Sequence, residues 1–368
     1  YSGGSGSVSD TTYTVLPTIS YDQVTPRQHR TFTYNPGFTF YQPTSTLNEI
    51  DQSAEAFYQY RLTQHMAVNV SDSFHESSTV FDQSSSAAEG AVSGSPLPIA
   101  PGVVAPYAER LTNTAQAQLT YQFSPVGMVG GSGTWMILNY PNLTEASGLY
   151  GSDETSGSAF YNRRISSTQY MGVNYRYSQV VAHPENSESE TKTHTIYAFY
   201  TISPKHNLSI SISGGPQYYA VSQTLLPASG SWGPTVTVSM GWQQAQTNFA
   251  ASYSREVTGG GGLLGAFESS SANASARWRI SREWSTGVNG NYAINKSVTP
   301  LTFTSTQGGH TVSGTATVEY SINQQLTVDF AYNRLHQSYN DIAAVSNNPD
   351  SDRETISLTW QFTRPLGR

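Results

Sequence analysis

The chain has 368 residues, 37% hydrophobic and 12% charged, with 24 Tyr, no Cys and a net charge of −7. The acidic balance excludes the basic stripe of a nucleic-acid binder, and the lack of Cys excludes disulfide frameworks, zinc–thiolate sites and thiol nucleophiles. No stretch approaches the ~20 apolar residues of a transmembrane helix, and charge lies well below the ~25% usual in soluble proteins, so the composition points to β structure with a polar, mostly uncharged face.

The chain opens on Tyr1 and "SGGSGSVSD", which reads as a mature start after signal-peptide removal or as a trimmed one. Residues 1–28 are expected to be an extension, a plug piece or an extra strand; Tyr13, Val15, Ile19 and Tyr21 share one parity there. From residue 29 to 368, helical periodicity is nearly absent and alternation fills runs of about ten residues, enough to cross a bilayer as a tilted strand. Phe32, Tyr34, Phe38 and Phe40 share a parity. Tyr58 and Tyr60 oppose Glu55, Gln59 and Arg61; Ala115 to Phe123 oppose Gln116 to Gln122; Val173 and Tyr175 oppose Asn174 and Arg176. The stretch "NLSISISG" (Asn207–Gly214) sets Leu208, Ile210 and Ile212 against three serines. Val238, Met240 and Trp242 oppose Ser239 and Gln243; Ala276, Trp278 and Ile280 oppose Arg277 and Arg279; Val318 and Tyr320 oppose Glu319; Leu358, Trp360 and Phe362 oppose Thr359 and Gln361.

Connections alternate between short turns such as "SPVG" (Ser124–Gly127) and "SRE" (Ser281–Glu283) and longer segments. The longer ones include Val80–Arg110, Pro141–Ser156, Ala220–Gly233 and Gly259–Phe267. Short on one side and long on the other is the signature of an up-and-down membrane barrel. The aromatics Tyr58, Tyr60, Tyr121, Phe123, Trp242, Trp278, Trp284, Trp360 and Phe362 sit beside the short turns or the C-terminus. A second set lies near the long loops, so two girdles are expected, with the apolar parity facing lipid and the polar parity a wet interior. The expected fold is all-β: a transmembrane antiparallel up-and-down β-barrel of about 16 strands, within a range of about 14 to 18.

Several stretches resemble an uncharacterised family of acidobacterial outer-membrane β-barrel proteins: "PGFTFYQPTS" (Pro36–Ser45), "AERLTNTAQAQLTYQFS" (Ala108–Ser124), "TNFAASYSREVTGGGGLLGAF" (Thr247–Phe267), "RLHQSYNDIA" (Arg334–Ala343) and "QFTRPLGR" (Gln361–Arg368). The resemblance covers nearly the whole chain. It implies the barrel and the bacterial outer membrane, and it carries no catalytic residue. The last strand also resembles the C-terminal insertion signal of outer-membrane proteins, although Phe362 is followed by "TRPLGR". The partners expected are membrane lipid, lipopolysaccharide and the outer-membrane assembly machinery, with a homotrimer as one form of assembly.

The inward parity carries Glu55, Arg61, Arg176, Arg277, Arg279, Glu319 and Asp329. Charges of both signs lining a wet interior suit a porin-like passive channel for small polar solutes; they equally suit a wall that merely solvates itself. A scaffold for other envelope components is the alternative function, and a barrel hydrolase a weaker one. Ser73 and His75 share a face, but Asp72 points to the other. Loop 80–110 reads as a constriction, an inter-subunit contact or an exterior loop. "TGGGGLLGAF" (Thr258–Phe267) lacks the Lys-Ser/Thr of a phosphate loop and reads as a flexible hairpin tip whose Leu263 and Leu264, apolar for such a tip, touch a partner. Asp350 and Asp352 would suit calcium but equally suit a turn. No enzyme activity, cofactor or metal is expected.

Overall fold

Alternating β-branched, aromatic and hydroxyl residues favour a pleated, half-buried surface over a helix. In the computed structural model, residues 9–45, 48–78, 103, 108–142, 144, 146–184, 188–224, 226–298, 308–340, 342, 345 and 350–362 are described. They form β1 (Thr12–Val15), β2 (Ile19–Val24), β3 (Gln28–Tyr41), β4 (Glu49–Arg61), β5 (Met66–Ser77), β6 (Arg110–Ser124), β7 (Gly127–Asn139), β8 (Ser152–Ser166) and β9 (Gln169–Ala182). The second half comprises β10 (Ser189–Lys205), β11 (Leu208–Gln223), β12 (Leu226–Gln243), β13 (Thr247–Gly260), β14 (Leu263–Arg279), β15 (Trp284–Ser297), β16 (Gly308–Ser321), β17 (Leu326–Asn340) and β18 (Asp350–Trp360).

Every strand from β2 to β18 pairs antiparallel with its neighbours in sequence. The architecture is the up-and-down sheet expected, with 18 strands where about 16 were read. The difference lies at the start. β3 to β18 are the expected set, and the Tyr13–Tyr21 run supplies β1 and β2. Both of these pair with β3 in one register, Val15 opposite Phe38 and Ile19 opposite Tyr34, so they form a single row broken at Pro17, which has no N–H to give the ladder.

Which face is inside follows from contacts between strands that are not neighbours. Arg176 on β9 meets Glu256 on β13, and Gln217 on β11 meets Val257 on β13. Such contacts are made only across the concave side of a curled sheet. Cross-strand partners and i±2 residues share a face, so the register carries this assignment around the wall. Ser209 and Ser211 of "NLSISISG" point inward, where Ser211 Oγ lies 2.9 Å from Thr201 Oγ1. Ile212 points outward and is 53% exposed. So do Met171, Val173, Trp278, Val288, Phe330 and Leu358, all exposed. The apolar face has no second sheet packed on it among the described residues.

Two segments expected as loops are mostly strand. β11 and β12 stay paired to Gln223 and Leu226, and β13 and β14 to Gly260 and Leu263. Ser, Gly and Ala at these positions read as loop composition. Backbone pairing overrides that composition because the outer hairpin packs Tyr218 on Trp232, with ring centroids 5.3 Å apart.

Candidate functional site: the polar interior and its lid

The inward face is hydrophilic over most of its length. Arg277, on β14, donates to Glu319 of β16 at 2.7 Å, and Ser285 Oγ donates to the same carboxylate at 3.1 Å. Ser357 Oγ donates to Asp329 at 3.3 Å. Glu55, Arg61 and Arg279 are exposed on the same face. Apart from Glu55, at the midpoint of β4, these charges lie in the half of the sheet nearer the short turns. Pairs this solvated contribute about 0–1 kcal/mol each.

Arg176 differs from the rest. It is buried in the half nearer the long loops and is ion-paired with Glu256, both side chains 8% exposed. Glu154 is buried on the same inward face of β8. The sequence reading found Arg176 but missed Glu154, Glu256 and Gln217. Glu256 continues the inward parity of Ser252 and Ser254, which was the available signal.

Above this pair the wall opens. β12 and β13 stay in register only as far as Val236 opposite Arg255. Further along, the same register would set Val257 against Pro234, which has no N–H to offer. There β13 leaves β12 and turns inward. The Gln217 side chain takes over its backbone: Nε2 donates to Val257 O, and Val257 N–H donates to Oε1, both at 2.7 Å. Gln217 is fully buried. The hairpin then reverses through Gly260, Gly261 and Gly262, with φ of 78°, 66° and 90°, a left-handed run that glycine adopts without steric cost. It also lies too close to the wall for side chains. A Cβ on Gly260 would meet Val180 at 2.9 Å, and one on Gly262 the Tyr140 hydroxyl at 2.7 Å. Tyr150 N–H donates to Gly262 O at 3.0 Å, tying the tip to the β7–β8 connection.

The hairpin tip is present, but the partner expected for its leucines is the chain itself: Leu263 and Phe267 are fully buried in an intramolecular cluster, and Leu264 is half-buried. Their neighbours in that cluster are Leu138, Tyr140, Leu149 and Tyr339, with Val103, Ala108, Ile342 and Val345 from the long connections. The cluster joins β7 to β17 and so bridges the interior at its long-loop end. Burial keeps the Tyr140 phenol protonated above its ordinary range, although Arg110 opposes the shift. Tyr339 is seated by hydrogen bonds with Asn295 (2.8 Å) and Thr311 (3.1 Å). Of segment 80–110, only Val103 and residues 108–110 are described; Val103 and Ala108 join the lid, while the rest of that reading lies outside the described residues.

The other candidates do not assemble. Ser73 and His75 face inward, whereas Asp72 faces outward and accepts from Asn113 at 3.3 Å. Asp350 and Asp352 are outward and engaged by His336 at 2.9 Å and Arg334 at 3.7 Å, and no group of three or more metal-ligating side chains occurs among the described residues. The girdle residues sit on the outward face. Phe123 stacks near Tyr161 with ring centroids 6.1 Å apart and Tyr58 near Tyr60 at 6.3 Å, while Trp284 tilts against Tyr320 at 4.6 Å and Trp360 against Phe362 at 6.3 Å. Tyr121 and Trp278 are exposed there, and Trp242 is opposite Phe249.

No protein-family model matches the chain, and no curated protein matches it in sequence. Solved structures match it in fold. The FrpB iron transporter from Neisseria meningitidis, F5-1 variant, superposes with a TM-score of 0.54 at 10% identity, over 96% of this chain and 67% of that one. Its F3-3 variant gives 0.52 at 10% identity, over 96% and 66%. The ferric citrate transporter FecA in its unliganded form gives 0.50 at 10% identity, over 97% and 62%. The chain thus spans about two thirds of the length of these relatives. The likeness is one of fold: an antiparallel up-and-down β-sheet of the outer-membrane barrel type.

Proposed function

We propose that the chain is an outer-membrane transport barrel that carries small polar solutes through its hydrophilic interior, with passage controlled by the inward lid. The observation that carries this is the inversion of the sheet: Ile212, Val288 and Leu358 bare on the convex face, and hydroxyl, amide and charged side chains on the concave one. Only a surrounding hydrocarbon phase makes that arrangement favourable. The partners are then lipid and lipopolysaccharide around the convex face and the assembly machinery at β18. Similarity in fold to transporters of iron and ferric citrate supports a transport role and leaves the solute class to the interior's own chemistry, which is polar and of mixed charge. The lid argues against a permanently open passive pore.

Conductance in planar bilayers tests this. Low, intermittent conductance that rises when the lid is loosened supports transport. No conductance in either form, from protein that is folded and inserted, favours the second reading, an interaction barrel whose loops hold other envelope components. The bridged mouth is the observation behind that second reading.

A further inference from the structure

Two rows of the sheet have a neighbour on one side only among the described residues. The β1/β2 row bonds to β3, β18 bonds to β17, and the two rows form no ladder with each other. Outward side chains on both rows are widely exposed. Ile356 is 74%, Leu358 68%, Ile19 63% and Tyr13 61% exposed, against 53% for Ile212 and 41% for Tyr253 in mid-sheet. Within a bilayer an open edge leaves a line of backbone N–H and C=O groups that hydrocarbon cannot hydrogen-bond, so such an edge is strongly disfavoured.

The directions of the two edges decide what can cover them. β1 and β2 run opposite to β3, and each step from β3 to β18 reverses direction. Fifteen such steps (18 − 3) leave β18 opposite to β3 and parallel to the β1/β2 row. Direct closure would therefore introduce one parallel seam into a sheet that is otherwise wholly antiparallel. We infer that the sheet is completed instead by an odd number of further strands. The smallest number is one: a strand running from the short-turn end to the long-loop end, antiparallel to β18 on one edge and to β1/β2 on the other. It would bring the rows to the even number usual for such barrels.

The occupant is a strand of the same polypeptide that precedes β1 and joins it by a long-side hairpin. Two observations favour this source. From β2 to β18 every spatial neighbour is also the sequence neighbour, so the strand beside β1 in space is the one before it in sequence. The solved relatives also extend beyond the part this chain covers.

The chain has no Cys, so introduced cysteine pairs report on the seam without background. The inference rests on the membrane reading above, and the test is run on full-length polypeptide extracted from the outer membrane. Fractionation of the protein to the soluble phase would defeat that reading regardless of the cross-links. Tyr21→Cys is paired with Leu358→Cys, and Ile19→Cys with Ile356→Cys. Phe330→Cys with Ile356→Cys, directly opposite in the β17–β18 ladder, is the positive control. A short bifunctional reagent is expected to join the control pair and leave both edge pairs at the level of single-cysteine samples, while the amides of β18 are protected from hydrogen exchange. Edge pairs joined as efficiently as the control would overturn the inference, because β18 and β1/β2 would then be direct neighbours. Edge cross-links found only between two molecules would overturn the choice of occupant in favour of a second copy. Folding of each variant is checked by its heat-modifiable migration.

Discussion

Replacing Gln217 with Leu keeps the approximate volume of the side chain and deletes both hydrogen bonds that hold β13 away from the wall. The bonds are 2.7 Å long and their carrier is fully buried. A buried backbone group left without its partner costs about 1–3 kcal/mol, so two cost about 2–6 kcal/mol. The wall offers no donor to Val257 O in exchange, because in the extended register the residue opposite Val257 is Pro234, which has no N–H. At the low end, about 2 kcal/mol raises the population of the undocked tip about 30-fold. Hydrogen exchange over residues 254–262 in lipid nanodiscs reads this directly, and the Val257 amide should exchange about 30-fold faster or more in the variant. Gln217→Glu, which keeps an acceptor for the Val257 N–H and loses the donor, should fall between. Unchanged protection at Val257 in a folded Gln217→Leu variant would refute the role given to Gln217.

Phe267→Ala removes the largest fully buried side chain of the lid and should weaken it by about 3–5 kcal/mol, seen as more frequent openings in planar-bilayer recordings. Arg176→Met leaves Glu256 buried without its partner and should lower resistance to urea by about 3–5 kcal/mol; the double replacement Arg176→Met with Glu256→Leu should recover most of the loss. Ile212→Lys places a charge on the lipid face and should cost about 2–4 kcal/mol in unfolding from vesicles, whereas Ser211→Lys, facing the interior, should cost much less.

Much of this architecture was legible because a strand with one oily and one wet face writes its period into the sequence. The alternation through Ala115–Phe123, "NLSISISG" and Ile356–Trp360 located strands and assigned faces that the register bears out. Polar parity likewise put Arg277 and Glu319 on one face, where they meet. The lid was not legible. Leu263 beside four consecutive glycines has the composition of an exterior turn; its burial depends on where the hairpin bends, and that is set by Pro234 and Gln217 on two other strands. A proline in one strand and a glutamine in the next carry no local sign that they act on a third. The broken first row was hidden similarly, since only its pairing with β3 shows that Pro17 interrupts one strand and does not separate two.

Site-directed spin labels at residues 208–213, one per molecule in an otherwise cysteine-free chain, test the central claim most directly. In reconstituted vesicles, labels at 208, 210 and 212 should relax through dissolved oxygen, which partitions into hydrocarbon, and those at 209, 211 and 213 through a water-soluble nickel chelate. The opposite alternation, or none, would contradict a barrel with its apolar face in lipid.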